Sequence, residues 1–339
     1  MSISSTAPDL FANLRDMERS ALRFVLNGEG SFDELIFQAH FVQRSLCAVY
    51  DTYCRSFGEA RSWREIPALP LSAFRRASIR SFPDEQTVQT FRTSGTTGEG
   101  YGEHHFRILE LYRAAALGGW KFAGLPTETP FCLMPSPREA PFSSLSCMAG
   151  WMAPAERFFL GNWDHLVRTL LRTESKVVIF GTALAFLNVF EWLGDRQIPL
   201  PPGSVAIETG GFKGTKRMLQ KSELYARFQK YLGLSEEDVW NEYGMTELSS
   251  QFYSRGLANP HRAAPWVRAR VINPESGEEC AEGETGTLRI FDLANIGSCC
   301  ALQTRDLAIR RGEEFVLIGR DPSALPRGCS RPIEEMLAG

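Results

Sequence analysis

Gln86-Thr87-Val88-Gln89-Thr90-Phe91-Arg92 runs directly into Thr93-Ser94-Gly95-Thr96-Thr97-Gly98, a strand pattern followed by a loop of small polar residues. Residues 87–92 alternate in character as a half-buried strand does. Thr93, Ser94, Gly95, Thr96, Thr97 and Gly98 then form a loop of small hydroxyl donors and glycines with little bulk. Glycine lets backbone N–H groups approach an anion closely, and hydroxyls add donors, so such a loop can wrap a phosphate. It lacks the Gly-x-x-x-x-Gly-Lys-Ser/Thr order of a Walker A loop. Taken alone it is equally a polar turn after a strand, and its weight comes from what surrounds it.

Outward from this loop, short apolar runs at 131–134, 176–180, 204–208 and 238–242 read as strands. Helical patterns at 106–121, 163–173, 182–193 and 216–232 alternate with them, which predicts an α/β layered sheet over 61–264. Ligands in such folds gather where loops leave the carboxyl ends of strands, and the polar glycine loops at 93–98, 209–214 and 243–247 fall there. The segment 131–151 is apolar and proline-punctuated, and reads as a loop able to wall a pocket.

Upstream, 1–60 reads as a helical segment. A helix over 8–26 ends at Asn27-Gly28, and Ser31-Phe32-Asp33-Glu34 has the form of a capping box opening a second helix to about residue 57. Cys47 and Cys54 on that helix read as packing residues. A connector, 63–74, leads into the core. His104 and His105 fall just before a helix start, where they are either solvated or lining a pocket. Downstream, 265–320 turns to β character, with strands at 266–272, 286–291, 299–303 and 314–318, and 321–339 reads as a tail.

With 339 residues, 43% hydrophobic and 23% charged, the chain has the composition of a soluble globular protein. A net charge of -3 gives no reason to expect nucleic acid or an anionic membrane as partner. No apolar run approaches the ~18 residues of a spanning helix, and the amino terminus lacks the form of a signal peptide. Eight irregularly spaced cysteines without Cys-x-x-Cys argue against a disulfide framework or a zinc ribbon. A reducing, cytoplasmic location is the expectation.

Glu242-Tyr243-Gly244-Met245-Thr246-Glu247 places an aromatic ring, a hydroxyl and a carboxylate after a strand. The ring can stack on a base, and Thr and Glu oxygens can ligate Mg²⁺ beside a triphosphate. Together with the Thr93–Gly98 loop, and with Ile207-Glu208-Thr209-Gly210-Gly211, Thr304-Arg305-Asp306-Leu307 and Gly319-Arg320-Asp321 in the same order, the sequence resembles the adenylate-forming superfamily. Within it the resemblance is closest to acyl-protein synthetases. It is carried by Trp63, Ile66-Pro67 and Phe74, by Thr209-Gly210-Gly211-Phe212-Lys213, by Tyr243 to Leu248, by Asp292-Leu293-Ala294-Asn295 and by Arg327-Gly328-Cys329-Ser330.

The resemblance implies the N-terminal domain fold of those enzymes with a small β subdomain, the mobile C-terminal domain being absent or vestigial. It implies ATP and Mg²⁺ as cofactors and a carboxylic acid, fatty acyl in the first instance, as substrate. A protein acceptor, reductase- or carrier-like, follows by the same comparison. Thr93, Ser94, Gly95, Thr96, Thr97 and Gly98 would hold phosphates, and Thr246 and Glu247 the metal. Gly210, Gly211, Tyr243 and Gly244 would lie along the adenine, with Asp306 and Arg320 at the ribose. Cys329 matches the acyl-carrying cysteine, and its arginine neighbours Arg327 and Arg331 favour thiolate.

Three departures stand out, the first being the expected absence of the mobile domain, which carries a lysine in full-length relatives. Glu99-Gly100-Tyr101 replaces the usual lysine-bearing end of the phosphate loop, and Arg305 stands where glycine is usual. Lys213 is therefore the candidate for the missing cation. Activation of an aryl or other small acid in secondary metabolism, of the kind that makes phenazine-type antibiotics, an acyl-CoA ligase-like activity, and a nucleotide-binding scaffold without turnover are the alternatives.

Overall fold

The computed structural model describes residues 11–93, 101–210 and 220–320. Ser94, Gly95, Thr96, Thr97, Gly98, Gly211, Lys213 and Cys329 lie outside the described residues, and Arg320 is described by its backbone alone. Among the described residues no helix is long and apolar enough to cross a membrane.

Helices α1 (Ala12–Asn27), α2 (Phe32–Leu46) and α3 (Ala48–Cys54) open the chain. On α1, Leu14, Met17, Ala21, Phe24 and Val25 form the buried stripe that helical spacing demands. Gly28 ends it in the left-handed conformation at φ 74°. The second predicted helix is two. Cys47 is extended (φ -111°, ψ 96°), and the break lets Gln43 and the two tyrosines of α3 face different partners. Gln43 reaches the carbonyls of Asn295 and Ile296, while Tyr50 and Tyr53 donate to the carbonyls of Pro67 and Ala68. Ser31 makes no side-chain cap; only its carbonyl, accepting from Leu35 N–H, serves the helix start.

The connector contributes β1 (Leu69–Pro70) and α4 (Ala73–Arg76). A hairpin follows, β2 (Gln89–Arg92) antiparallel to β3 (Glu103–Phe106). Its second strand takes the place of the expected helix start, so His104 and His105 are strand residues, buried rather than solvated. Helix α5 (Glu110–Phe122) begins later than its apolar pattern suggested, because Phe106 belongs to β3.

The central sheet has the order β4 (Phe131–Leu133), β5 (Val178–Thr182), β6 (Val205–Thr209), β7 (Val239–Tyr243), β8 (Phe252–Arg255). The first four run parallel and β8 closes the edge antiparallel. Strands β4 and β6 are buried along their whole length, as parallel strands covered on both faces must be. Helices α7 (Trp163–Leu171), α8 (Ala183–Leu193) and α9 (Lys221–Leu232) belong to one cover, where Phe186, Phe190 and Phe228 meet the sheet. On the other face α5 and α6 (Ser144–Met152) supply Trp120, Met148 and Ala149. Helix α6 corrects the loop reading of 131–151: Ser143 accepts from the Ser146 N–H and starts it.

The last sheet joins β9 (Val267–Ile272), β10 (Thr285–Asp292), β11 (Ala301–Arg311) and β12 (Glu314–Arg320), with β1 added parallel to β11. Cys299 and Cys300 are fully buried just ahead of β11, not in it.

Candidate active site

Across the central sheet Thr182 pairs with Thr209, and Thr209 with Glu242. Directly opposed residues of neighbouring strands share a face, so the three side chains stand in one row at the carboxyl ends of β5, β6 and β7. All three line a cleft of about 720 Å³. Thr209 Oγ1 donates to Glu242 Oε2, and Glu242 is 4% exposed. Burial pushes the Glu242 carboxyl up to about 7 against the lowering effect of that hydrogen bond.

The opposite face of the same strand ends carries a paired polar network. Asn241 Nδ2 donates to Glu208 Oε1 at 2.8 Å, and His261 Nε2 donates to Asn241 Oδ1 at 2.7 Å. Tyr225 and Lys221 approach Glu208 Oε1 at 3.5 and 3.6 Å. Burial pushes Glu208 up to about 7 and His261 down to about 3.

After β7 the chain turns through Gly244 to Glu247, which also lines the cleft. Gly244 lets the Glu242 carboxyl lie close over the turn: a Cβ there would lie 2.5 Å from Glu242 Oε1, and the carboxyl would have to shift. The turn is held from outside the central sheet. Asn295 Nδ2 donates to the Glu247 carbonyl at 2.7 Å, and Ser249 Oγ donates to Asn295 Oδ1 at 2.6 Å. Asp292 accepts from the backbone N–H groups of Ser249 and Ser250, each at 2.9 Å, and from the Ser250 hydroxyl at 2.7 Å. Burial pushes the Asp292 carboxyl up, and these donors oppose it. His104 Nδ1 donates to the Thr246 carbonyl at 2.8 Å, the ring being held neutral by burial, which lowers it to about 4.

The hairpin forms the other lip. Thr93 N–H donates to the Gly102 carbonyl and Gly102 N–H to Thr93 Oγ1, both at 2.9 Å, clasping the base of 94–100. Arg75 lies against Gly102, whose Cβ would sit 3.4 Å from Arg75 Cγ, and lines the cleft beside Arg92. Phe142, Leu145 and Met148 give the apolar wall expected of 131–151, joined by Tyr112 from α5.

Of the predicted site residues, Thr93, Gly244, Thr246 and Glu247 meet in this cleft. Tyr243 and Asp306 meet each other instead, the Tyr243 hydroxyl donating to Asp306 Oδ2 at 2.8 Å. The Tyr243 ring is buried among Phe252, His261 and Phe315. Gly210 ends β6 with φ 72°, a conformation suited to glycine. Thr182, Thr209, Glu242, Gln251, Tyr112 and Arg75 line the cleft without having been assigned a role from sequence. The available signal was register: the first three end consecutive parallel strands.

Mg²⁺ fits this donor set in one manner. Among the described residues no three His, Cys, Asp or Glu side chains cluster as a metal cage. Glu247 with the neighbouring Thr246 offers one carboxylate and one hydroxyl, which suits a cation that takes its remaining ligands from phosphates and water. The described cysteines are free, and burial raises every thiol: Cys147 to about 11, Cys54 and Cys132 to about 12, and Cys47, Cys280, Cys299 and Cys300 in the same direction. None of these seven sits where thiolate is favoured.

Comparison with known proteins bears on this cleft. A family model described as acyl-protein synthetase, LuxE, matches residues 151–338. The chain is 20% identical over 298 residues to a long-chain-fatty-acid–luciferin-component ligase of Aliivibrio fischeri, covering 82% of this chain and 78% of that one. Among solved structures, an open conformation of 2-hydroxyisobutyryl-CoA ligase in complex with 2-HIB-AMP and CoA matches with TM-score 0.64 and 14% identity, over 87% of this chain and 76% of that one. ATP-bound MatB from Rhodopseudomonas palustris matches with TM-score 0.52 and 17% identity, over 71% of this chain. The match covers 49% of MatB, so the chain spans about half its length. At these identities the structural matches show the fold, a mixed α/β architecture similar to adenylate-forming enzyme domains.

Proposed function

The chain belongs to the LuxE acyl-protein synthetase family, and from that premise we propose that it activates a carboxylic acid with ATP and passes the acyl group to a protein thiol or partner acceptor. The observation that carries this reading is the meeting of Thr93, at the entry of the predicted phosphate loop, with Gly244, Thr246 and Glu247 in one cleft.

In the first half-reaction a carboxylate oxygen attacks the α-phosphorus of ATP. The P–O bond to pyrophosphate breaks, and a mixed acyl–AMP anhydride forms. The barrier is largely repulsion between anions, so placed donors and cations supply the catalysis. Thr93, with Ser94, Thr96 and Thr97, faces the phosphates in this reading, and Lys213 is the added cation. Glu247 and Thr246 hold Mg²⁺, which when bound supplies positive charge at the phosphates. Gly210 and Gly211 lie along the adenine, and the Tyr243–Asp306 pair, with Arg320, is the nucleoside end.

In the second half-reaction a thiolate attacks the acyl carbon, the carbon–sulfur bond forms, and AMP leaves with the anhydride oxygen. Cys329 is the proposed thiol within the chain, since burial raises all seven described thiols. Free cysteines in these positions also suit the cytoplasmic location expected from sequence.

Acid-dependent exchange of labelled pyrophosphate into ATP tests the first half-reaction. We expect exchange with at least one acid class, and its loss in Glu247→Gln. ATP binding without exchange for any acid would support a scaffold role instead.

A further inference from the structure

Behind the cleft, the end of β6 carries a charged group that the adenylation chemistry does not use. Glu208 is 2% exposed, and three side chains converge on its Oε1: Asn241 Nδ2 at 2.8 Å, the Tyr225 hydroxyl at 3.5 Å and Lys221 Nζ at 3.6 Å. Asn241 Nδ2 also reaches the Glu208 carbonyl at 3.3 Å. Lys221 is the first residue of α9, and its ammonium lies 5.7 Å from the centre of the Tyr225 ring.

A carboxylate taken out of water is costly even when paired, and a strand end that needed only packing would be served by an apolar side chain. What the pair adds is geometric. Glu208 directly precedes Thr209, whose side chain lines the cleft, and Gly210 follows. Residues 210–220 join β6 to α9, so the Glu208–Lys221 pair ties the two ends of that connection together. Gln220 N–H, donating to Glu223 Oε2 at 3.0 Å, holds the α9 end. The hairpin loop on the other lip is closed at its base by Thr93 and Gly102, through uncharged groups alone.

We propose that Lys221 is a positioning residue for ATP: paired with the Glu208 carboxylate, it fixes the end of β6 against α9 and so places Thr209 and Gly210, without touching the nucleotide itself. It rests on the assignment of Gly210 to the adenine in the adenylation reading.

Burial pushes Glu208 up to about 7, against the lowering effects of Lys221, Asn241 and Tyr225. The pair is therefore complete above that value and lost as pH falls through it, when the carboxyl takes up its proton. Burial lowers the Lys221 ammonium, and Glu208 opposes this. Of the other groups around Glu208, Tyr225 is raised by burial and by Glu208, with Glu236 adding to it, and His261 beyond Asn241 is held down to about 3. Glu242, on the cleft side of β7, is itself pushed up to about 7, first by burial and then by Glu208.

The test is calorimetric titration of ATP with Mg²⁺ into the whole chain above and below pH 7, beside pyrophosphate exchange. Above pH 7, Lys221→Met should weaken ATP binding roughly threefold or more, and Lys221→Arg should restore it. Glu208→Gln, neutral at every pH, should bind ATP more weakly above pH 7 and lack the wild type's added loss below it. Protonation of ATP and of Glu242 is common to both proteins, so the difference between their profiles belongs to Glu208. In these variants the exchange kcat at saturating ATP and the KM for the acid should hold.

Wild-type ATP affinity in Lys221→Met, or parallel pH profiles for wild type and Glu208→Gln, overturns the inference. So does a fall in kcat, acid affinity and melting temperature in step with ATP affinity, which marks a merely structural pair. If a variant fails to fold, the wild type decides: ATP affinity flat through pH 7 overturns the inference. Absence of exchange with every acid removes adenylation, while the ATP titrations still decide the role of Lys221.

Discussion

Glu247 is the carboxylate on which the proposed chemistry leans most. It is 8% exposed, at the end of a turn whose backbone is fixed by Asn295 and His104, so the turn that carries it is placed before any ligand arrives. Glu247→Gln keeps the shape and removes the charge. We expect exchange kcat to fall about a hundredfold, with the melting temperature little changed; a variant with wild-type kcat would remove Glu247 from the site.

At the same scale, three buried histidines set a pH response, His104 with its value of about 4 being one. Burial holds His40 down to about 4 and His261 down to about 3, from 6.5. As pH falls below 6.5 the unfolded chain takes up these protons first, so the stability they support is full above that value and is lost toward 4 and 3. Glu208, raised to about 7 from 4.5, acts in the opposite sense: its cost to the folded state grows as pH rises from 4.5 to 7. His261→Gln should therefore flatten the decline of Tm between pH 6.5 and 4. A slope equal to that of the wild type would mean the ring is already charged in the fold.

At the scale of elements, the site turn is held by a strand from another sheet. Asp292 ends β10 and receives Ser249, Ser250 and Ala294, while Asn295 beyond it is gripped by Gln43 of α2. Asp292→Ala leaves buried donors unpaired, and a loss of about 3 kcal/mol in urea unfolding is expected. Exchange activity should fall with it at temperatures where the variant stays folded, because the Glu247 turn loses its clamp. Retained activity would show that the turn holds itself. Gly286 makes a different demand on β10, since a Cβ there would meet the Ile272 carbonyl oxygen at 2.4 Å and Cys280 Sγ at 2.7 Å. Gly286→Ala should cost about 1–3 kcal/mol by forcing β9 and β10 apart, and a neutral unfolding midpoint would contradict that packing.

Over the whole molecule, what the sequence disclosed follows from the range of each signal. The parallel strands were visible because fully buried runs such as Val178 to Phe180 stand out against polar loops. The motif turn at Gly244 to Glu247 was visible because its residue types are chemically unusual together. Strand β3 was not visible. Glu103-His104-His105-Phe106 has no apolar alternation; it is a strand because it pairs with β2, Phe91 opposite His104, and the side-chain partner of His104, the Thr246 carbonyl, lies far along the chain. The row Thr182, Thr209, Glu242 was hidden for a similar reason: each residue is ordinary in its own segment, and only register across β5, β6 and β7 assembles them. Tyr243 carried an aromatic ring toward the adenine in the sequence reading, while the structure buries that ring beside Phe315 on a strand of another sheet.

The acyl step belongs to this scale too. Labelled acid and ATP should leave label on a peptide containing Cys329, and Cys329→Ser should lose the label by a far larger factor than it loses exchange. Label on any other cysteine would relocate the acceptor. The measurement that tests the central claim most directly is acid-dependent pyrophosphate–ATP exchange on the wild-type chain with Mg²⁺. The cleft that joins Thr93 to Glu247 predicts exchange above the acid-free background with at least one class of carboxylic acid. ATP binding with no exchange across fatty, aryl, hydroxy and amino acids would contradict it.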